Sequence, residues 1–252
     1  MQDDYGNVTL VNVSGIYDEQ PLFIDKLKKG GAGVIDAVSM TGTNGYCDDM
    51  AKENFREMMK EYPTKGIHFI DGGNYHYLTL LWLSLIEEPF DLIVFDNHSD
   101  MQKPAFGDVL SCGGWIRNLV EDSGFKGKVT VVGVDKDNID KEMKELGVKF
   151  ITKQTILKKR GQQYGLENEL IDKCWTGKRP VYISVDKDVL DEKEYKTNWN
   201  QGVMSVDELF AIIEDTFEMR KVIGMDICGE MDEAVNSEFG SIYNEINQAV
   251  NM

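Results

Sequence analysis

Two acidic runs, each directly behind a wholly apolar segment, limit what this chain can become. Leu92-Ile93-Val94-Phe95 leads into Asp96-Asn97-His98-Ser99-Asp100, and Val181-Tyr182-Ile183 leads into Ser184-Val185-Asp186-Lys187-Asp188. In an extended strand, residues i and i+2 point to the same side. Asp96, His98 and Asp100, and separately Asp186 and Asp188, therefore converge at the ends of two buried strands. Carboxylates crowded in an apolar setting repel one another unless a cation joins them. The pattern predicts a divalent metal centre and, with it, an enzyme.

Elsewhere the chain alternates short Val/Ile-rich strands with amphipathic helices. Strands are expected at 8–13, 34–37, 67–70, 92–95, 129–134, 181–185 and 222–226, and helices at 50–60, 78–87, 116–121, 139–146, 167–174 and 206–216. The last helix follows Ser205 with Glu208 three positions on, the spacing of a capping box. Such alternation predicts an α/β fold, three-layer αβα, with a mostly parallel central sheet. Residues 39–47 and 101–114 read as loops, and loops that follow strands tend to carry function. One domain spanning 1–252 is expected, since no repeat or long linker breaks the pattern. In open sheets of this kind ligands bind at the carboxyl ends of strands. Both acidic runs lie there, as does Gly72-Gly73-Asn74-Tyr75-His76 behind the strand Ile67–Ile70.

The formal charge of −17 argues against nucleic acid and anionic membranes as partners and leaves a small-molecule substrate. The acidic, polar start Met1-Gln2-Asp3-Asp4 lacks the features of a secretory signal, and the apolar stretch 78–86 is too short to span a bilayer. Cys47, Cys112, Cys174 and Cys228 are widely spaced and form no CxxC pair, so free thiols and a cytoplasmic location are expected.

The candidate ligands are His76, Asp96, His98, Asp100, Asp186 and Asp188. Carboxylates with two imidazoles suit hard-to-borderline ions, with Mn²⁺ the first choice and zinc less suited. This many carboxylates can serve two ions per chain, and water held between them becomes a nucleophile at neutral pH. Hydrolysis is the reaction class that follows.

Phe95-Asp96-Asn97-His98-Ser99-Asp100 resembles the Asp-Ala-His-x-Asp motif of the arginase/agmatinase (ureohydrolase) family. Ser184-Val185-Asp186-Lys187-Asp188-Val189-Leu190-Asp191 resembles its Ser-x-Asp-x-Asp-x-x-Asp motif, and Gly72-Gly73 with His76 its Gly-Gly-Asp-His. Gly202 to Leu209 and Val222 to Ile227 are similar to the lead into its next helix and to its final strand. The resemblance runs from about Ile67 to Glu230. It implies a binuclear manganese centre whose bridging hydroxide attacks a linear C–N bond of a guanidino, amidino or formimino compound. It further implies His76, Asp96, Asp100 and Asp186 on one ion, and Asp96, His98, Asp186 and Asp188 on the other. Asp100 would relay a proton to the leaving amine, Asp191 would stabilise a turn, and a homo-oligomer is the family's habit.

Departures bear on recognition. The first motif reads Gly-Gly-Asn-Tyr-His, one residue longer than usual. The family's guanidinium-binding glutamate falls on Gly229, with Glu230 one further on, heading an acidic stretch with Asp232 and Glu233. Either the loop bulges and Glu230 takes that catalytic role, or guanidinium recognition is lost. Cys112 stands where many members carry a histidine, and is either catalytic or a passive wall. Gln102 and Trp115 are candidate substrate contacts. His68 reads as structural, and Trp82, Trp175 and Trp199 as core or interface aromatics. Two rival readings remain: a deacetylase-like amidohydrolase, and a catalytically silent metal-binding or regulatory protein.

Overall fold

A computed structural model of the chain describes residues 7–104, 107–122, 124–162 and 166–231. The two ends of the expected 1–252 domain, with Asp232 and Glu233, lie outside the described residues. Eight strands form one sheet: β1 (Val8–Asn12), β2 (Gly33–Asp36), β4 (Ile67–Ile70), β5 (Asp91–Phe95), β7 (Val129–Val132), β8 (Lys149–Ile151), β9 (Val181–Asp186) and β10 (Val222–Cys228). Their order is β2-β1-β4-β10-β9-β5-β7-β8, and every pairing is parallel. A separate antiparallel ribbon joins β3 (Tyr46–Cys47) to β6 (Leu110–Ser111).

Alternating side chains of each strand feed two cores. Leu92, Val94 and Tyr182 point to one face, and Ile93, Phe95, Val181, Ile183 and Val185 to the other. The first face packs against α2 (Asp49–Met59), α3 (Leu78–Leu83), α4 (Trp115–Glu121) and α5 (Lys141–Glu145). The second packs against α1 (Pro21–Lys29), α6 (Lys153–Lys159), α7 (Glu167–Leu170) and α8 (Val206–Met219). This is the expected three-layer αβα arrangement, with strands buried on both faces.

Local chemistry sets the helix ends. Ser205 and Glu208 close the expected capping box on α8: the Glu208 amide donates to Ser205 Oγ at 3.1 Å, and the Ser205 amide to Glu208 Oε2 at 3.0 Å. Asp48 accepts from the Ala51 amide at 2.8 Å, and Ala51, Phe55 and Met59 form the buried stripe of α2. The helix expected to reach residue 87 stops at Leu83. Its last turn tightens into i+3 bonds at Leu85 and Ile86, and Glu87, Glu88 and Pro89 disfavour continuation. The stretch 139–146 starts later than expected, because Asp140 caps α5 through the Met143 amide at 2.8 Å. The helix expected at 167–174 is α7 followed by a π-turn at Ile171–Trp175. No helix among the described residues is long and apolar enough to cross a membrane.

Candidate metal centre

The four central strands, β4, β10, β9 and β5, are neighbours, and all the candidate ligands follow the carboxyl ends of three of them. After β4 the chain turns sharply at Asp71, whose φ of 32° lies in the left-handed region. Its carboxylate compensates by accepting from the amides of Val13 and Ser14, each at 2.7 Å, and of Gly72 at 2.6 Å. A single 3₁₀ turn, Gly73–Tyr75, then delivers His76.

His76 is buried, and its Nε2 lies 2.9 Å from Ser184 Oγ. The Ser184 hydroxyl donates to Asp226 Oδ1 at 2.6 Å, so its oxygen is free to accept the Nε2 proton. In the neutral ring that leaves Nδ1 bare. Nδ1 faces Asp100 Oδ2 at 3.1 Å, Asp96 Oδ2 at 3.3 Å and Asp186 Oδ2 at 3.6 Å. Proximity notwithstanding, no hydrogen bond of sound geometry forms there, so Nδ1 is a buried polar atom without a partner. His98 is more open: its Nδ1 lies 2.8 Å from Asp188 Oδ2 and 3.5 Å from Asp96 Oδ1.

The backbone sets the carboxylates. Asp186 Oδ1 accepts from the Asp188 amide at 2.9 Å, and Asp188 Oδ1 from the Asn97 amide at 3.0 Å. Asp96 Oδ1 accepts from the His98 amide at 2.5 Å. Asp100 takes a left-handed φ of 47° and receives the Trp115 indole N–H on Oδ2 at 2.7 Å. Strained conformations of this kind persist where surrounding contacts hold them.

In the protein alone this cluster is electrostatically unbalanced. Burial first, then Asp188 and Asp96, raises the acid of Asp186, and burial and Asp96 raise that of Asp188. Burial works against a charged His98, yet Asp188 and Asp96 outweigh it and push its pKa up to about 11. A divalent cation would relieve both strains. The orphaned Nδ1 and the O/N donor set fit one, and three groups of buried or half-buried side chains have ligand atoms within 4.8 Å of one another: His76/Asp96/Asp100, Asp96/His98/Asp188 and His76/Asp186/Cys228.

Above the cluster opens a cavity of about 380 Å³, lined by Asn44, Tyr46, Asn74, Gln102, Lys103, Cys112 and Trp199 together with Asp96, His98, Asp100, Asp186 and Asp188. The sequence expectations divide here. Gln102 and Cys112 do line the cavity, and burial followed by Asp100 pushes the Cys112 thiol up to about 11. Trp115 does not: it is fully buried behind Asp100, where it orients that carboxylate. Trp199, expected as a core or interface aromatic, is 41% exposed and walls the cavity, its indole N–H on Asn74 Oδ1 at 2.9 Å. Asn74, the unusual residue of the first motif, in turn donates to Asn44 Oδ1 at 2.7 Å.

Glu230 also lies outside the lining. Gly229 has a φ of 86°, and a Cβ there would sit 2.7 Å from Asp186 Oδ1, so no side chain fits at that position. The next residue turns away: Glu230 Oε2 receives Lys187 Nζ at 2.7 Å and Oε1 receives Tyr195 OH at 2.9 Å. Ser184 and Asp226 fall inside the segments that resemble the family's motifs, and Cys228 among the free thiols, but none of the three was expected to have a role at the centre. The signal was present, because 184 and 226 share the i, i+2 faces of Asp186 and Cys228 in two strands that pair in register.

A parallel sheet covered on both faces, with clustered carboxylates and imidazoles at its central strand ends, defines a class of three-layer α/β folds with a candidate metal centre. The comparisons make it specific. The Arginase family model matches residues 27–231, and the chain belongs to that family. An uncharacterized protein of Thermotoga maritima is 30% identical over 227 residues, 90% of this chain and 80% of its own. Among solved structures, Trypanosoma cruzi formiminoglutamase with Mn2+2 superposes with a TM-score of 0.69 at 15% identity, covering 97% of this chain and 92% of that one. Agmatine ureohydrolase of Thermoplasma volcanium superposes with a TM-score of 0.68 at 18% identity, covering 98% and 91%. At these identities the structures speak for the fold, which is that of the arginase-family hydrolases.

Proposed function

We propose that the chain is a binuclear manganese hydrolase acting on a linear C–N bond, outside a peptide, of a guanidino, amidino or formimino compound. One observation carries the reading: His76 Nδ1, buried and unpartnered, faces three carboxylates at the floor of an open cavity. His76, Asp96, Asp100 and Asp186 would hold one ion, and Asp96, His98, Asp186 and Asp188 the other. Bound there, two divalent cations supply charge stabilisation and an acidified water.

The remaining work falls to the chain. The Trp115 N–H holds Asp100 Oδ2, which leaves the other carboxylate oxygen to carry a proton towards the leaving amine. Trp199 and Tyr46 offer flat walls for a planar C–N group, and the Gln102 amide offers polar contacts. Because Lys187 engages Glu230, the lining among the described residues holds no carboxylate beyond the four aspartates to pair with a guanidinium. The same observation supports a second reading, a metal-binding protein without turnover.

The test is product release by manganese-loaded protein on a panel of such compounds, with urea expected from guanidino substrates and formamide from formimino ones. Turnover that is lost in Asp96→Asn supports the hydrolase. Bound metal with no product from any compound supports the silent reading, and acetate from N-acetyl compounds would favour a deacetylase-like activity.

A further inference from the structure

Cys228 ends β10 in register with Asp186 on β9, two residues beyond Asp226 and on the same face. Its Sγ lies 3.2 Å from Asp186 Oδ2 and is completely buried. His76, Asp186 and Cys228 form a group of their own, with one ligand atom of each within 4.8 Å of the others. The shared member is His76, whose Nδ1 lacks a hydrogen-bond partner. An ion held by that nitrogen would be within reach of the carboxylates of one group and of the thiol of the other. A cysteine serving only as a small hydrophobe sits among carbon atoms alone; this one belongs to the hydrophobic core yet also sets its Sγ against a carboxylate, in a group with an imidazole.

We propose that Cys228 is a sulfur ligand of the ion held by His76 and Asp186, an inference that rests on the metal-centre reading above. As the ion enters, the S–H proton now given to Asp186 Oδ2 leaves to solvent and a sulfur–metal bond takes its place. The group of Asp96, His98 and Asp188 contains no sulfur. The two positions would therefore differ in softness: a sulfur ligand lets the first accept Zn²⁺, Co²⁺ or Fe²⁺ as well as Mn²⁺, and the second, all oxygen and nitrogen, suits Mn²⁺.

The experiment is titration of the metal-free full chain with Co²⁺, reading bound cobalt together with near-ultraviolet absorbance. Wild type is expected to show an intense sulfur-to-cobalt charge-transfer band. Cys112→Ser, which removes the thiol that lines the cavity, retains it; Cys228→Ser binds cobalt and loses it. Should Cys228→Ser not fold, X-ray absorption at the zinc edge of zinc-loaded Cys112→Ser reads the same feature, a sulfur neighbour at about 2.3 Å. Cobalt bound without the band, or a band that follows Cys112, overturns the assignment and leaves the metal centre standing. No bound cobalt overturns both.

Discussion

Lys187 and Glu230 form an ion pair of 2.7 Å with both side chains almost wholly out of water. Tyr195 completes it, with its hydroxyl on Glu230 Oε1 and its ring 4.7 Å from the ammonium. The pair ties the segment after β10 to the turn that follows β9. Breaking a buried pair leaves a charge uncompensated, at a cost of about 3–5 kcal/mol. Lys187→Met should lower the stability measured by urea unfolding by that order, and Lys187→Met/Glu230→Gln should recover most of it. A loss below about 1 kcal/mol in the single variant would mean that water reaches Glu230.

Ser184 does not line the cavity above the cluster, but it fixes which His76 nitrogen is bare. Groups that orient a metal-bound histidine typically contribute 10–100-fold in affinity. Ser184→Ala should weaken metal binding by about that factor, with the circular dichroism of the fold intact. Unchanged affinity in a competitive chelator titration would remove Ser184 from the centre.

Metal removal should carry a pH signature. Asp186 and Asp188 have raised acids in the folded protein, so their contribution is present at low pH and lost as pH rises through their folded values. His98, raised to about 11, contributes fully below its ordinary range and loses that contribution as pH climbs beyond it. Both trends make the chelated protein weaker as pH rises from 5 to 8. A cation satisfies the carboxylates and stabilises by mass action, by about 2.7 kcal/mol at a hundredfold excess over Kd. The gap in melting temperature between manganese-saturated and chelated protein should therefore widen with pH. A constant gap would show that these groups are not at the binding site.

His68 titrates in the opposite sense. Stacked on Trp82 at 3.9 Å and bonded to Pro63 O and Tyr182 OH, it is wholly buried, and burial holds its pKa down to about 4. Its contribution is complete above the ordinary value and is lost as pH falls from there through 4. The stability advantage of wild type over His68→Gln should shrink by about 3 kcal/mol between pH 7 and pH 4. Parallel stability curves for the two proteins would refute a neutral buried imidazole.

Gly229→Ala tests how tightly the final strand closes on the site. Its φ of 86° and the 2.7 Å approach to Asp186 Oδ1 leave no room for a methyl group. Destabilisation of at least about 1 kcal/mol is expected, with weakened metal binding because Asp186 must shift. Normal stability and affinity would show that this turn can relax.

The sheet was legible because strands buried on both faces write themselves as unbroken Val/Ile runs. Asp96, His98 and Asp100 were legible as ligand types behind such a run, but the strand period expected to align them does not hold, since β5 ends at Phe95 and Asp100 is left-handed. β8 and the ribbon β3–β6 were not legible: two or three residues are too few to display a period. The ribbon nevertheless pairs Tyr46 with Ser111 and so joins the two stretches read as separate loops. Recognition residues were harder still. Trp199 and Asn74 meet only because a long connection folds back over the site. The turn of Glu230 towards Lys187 depends on a steric limit at Gly229 that no sequence period encodes.

β10 is the last strand in chain order among the described residues, yet it lies between β4 and β9 near the middle of the sheet. It is the seam between β2-β1-β4 and β9-β5-β7-β8, which do not otherwise pair. A chain emerging from the ribosome thus carries two half-sheets with unsatisfied parallel edges until residues 222–228 arrive. His76 on one half and the aspartates on the other meet only when that seam closes. Capture of an ion at this site would therefore be a late event of biogenesis, open only to a chain in which β10 has already been inserted.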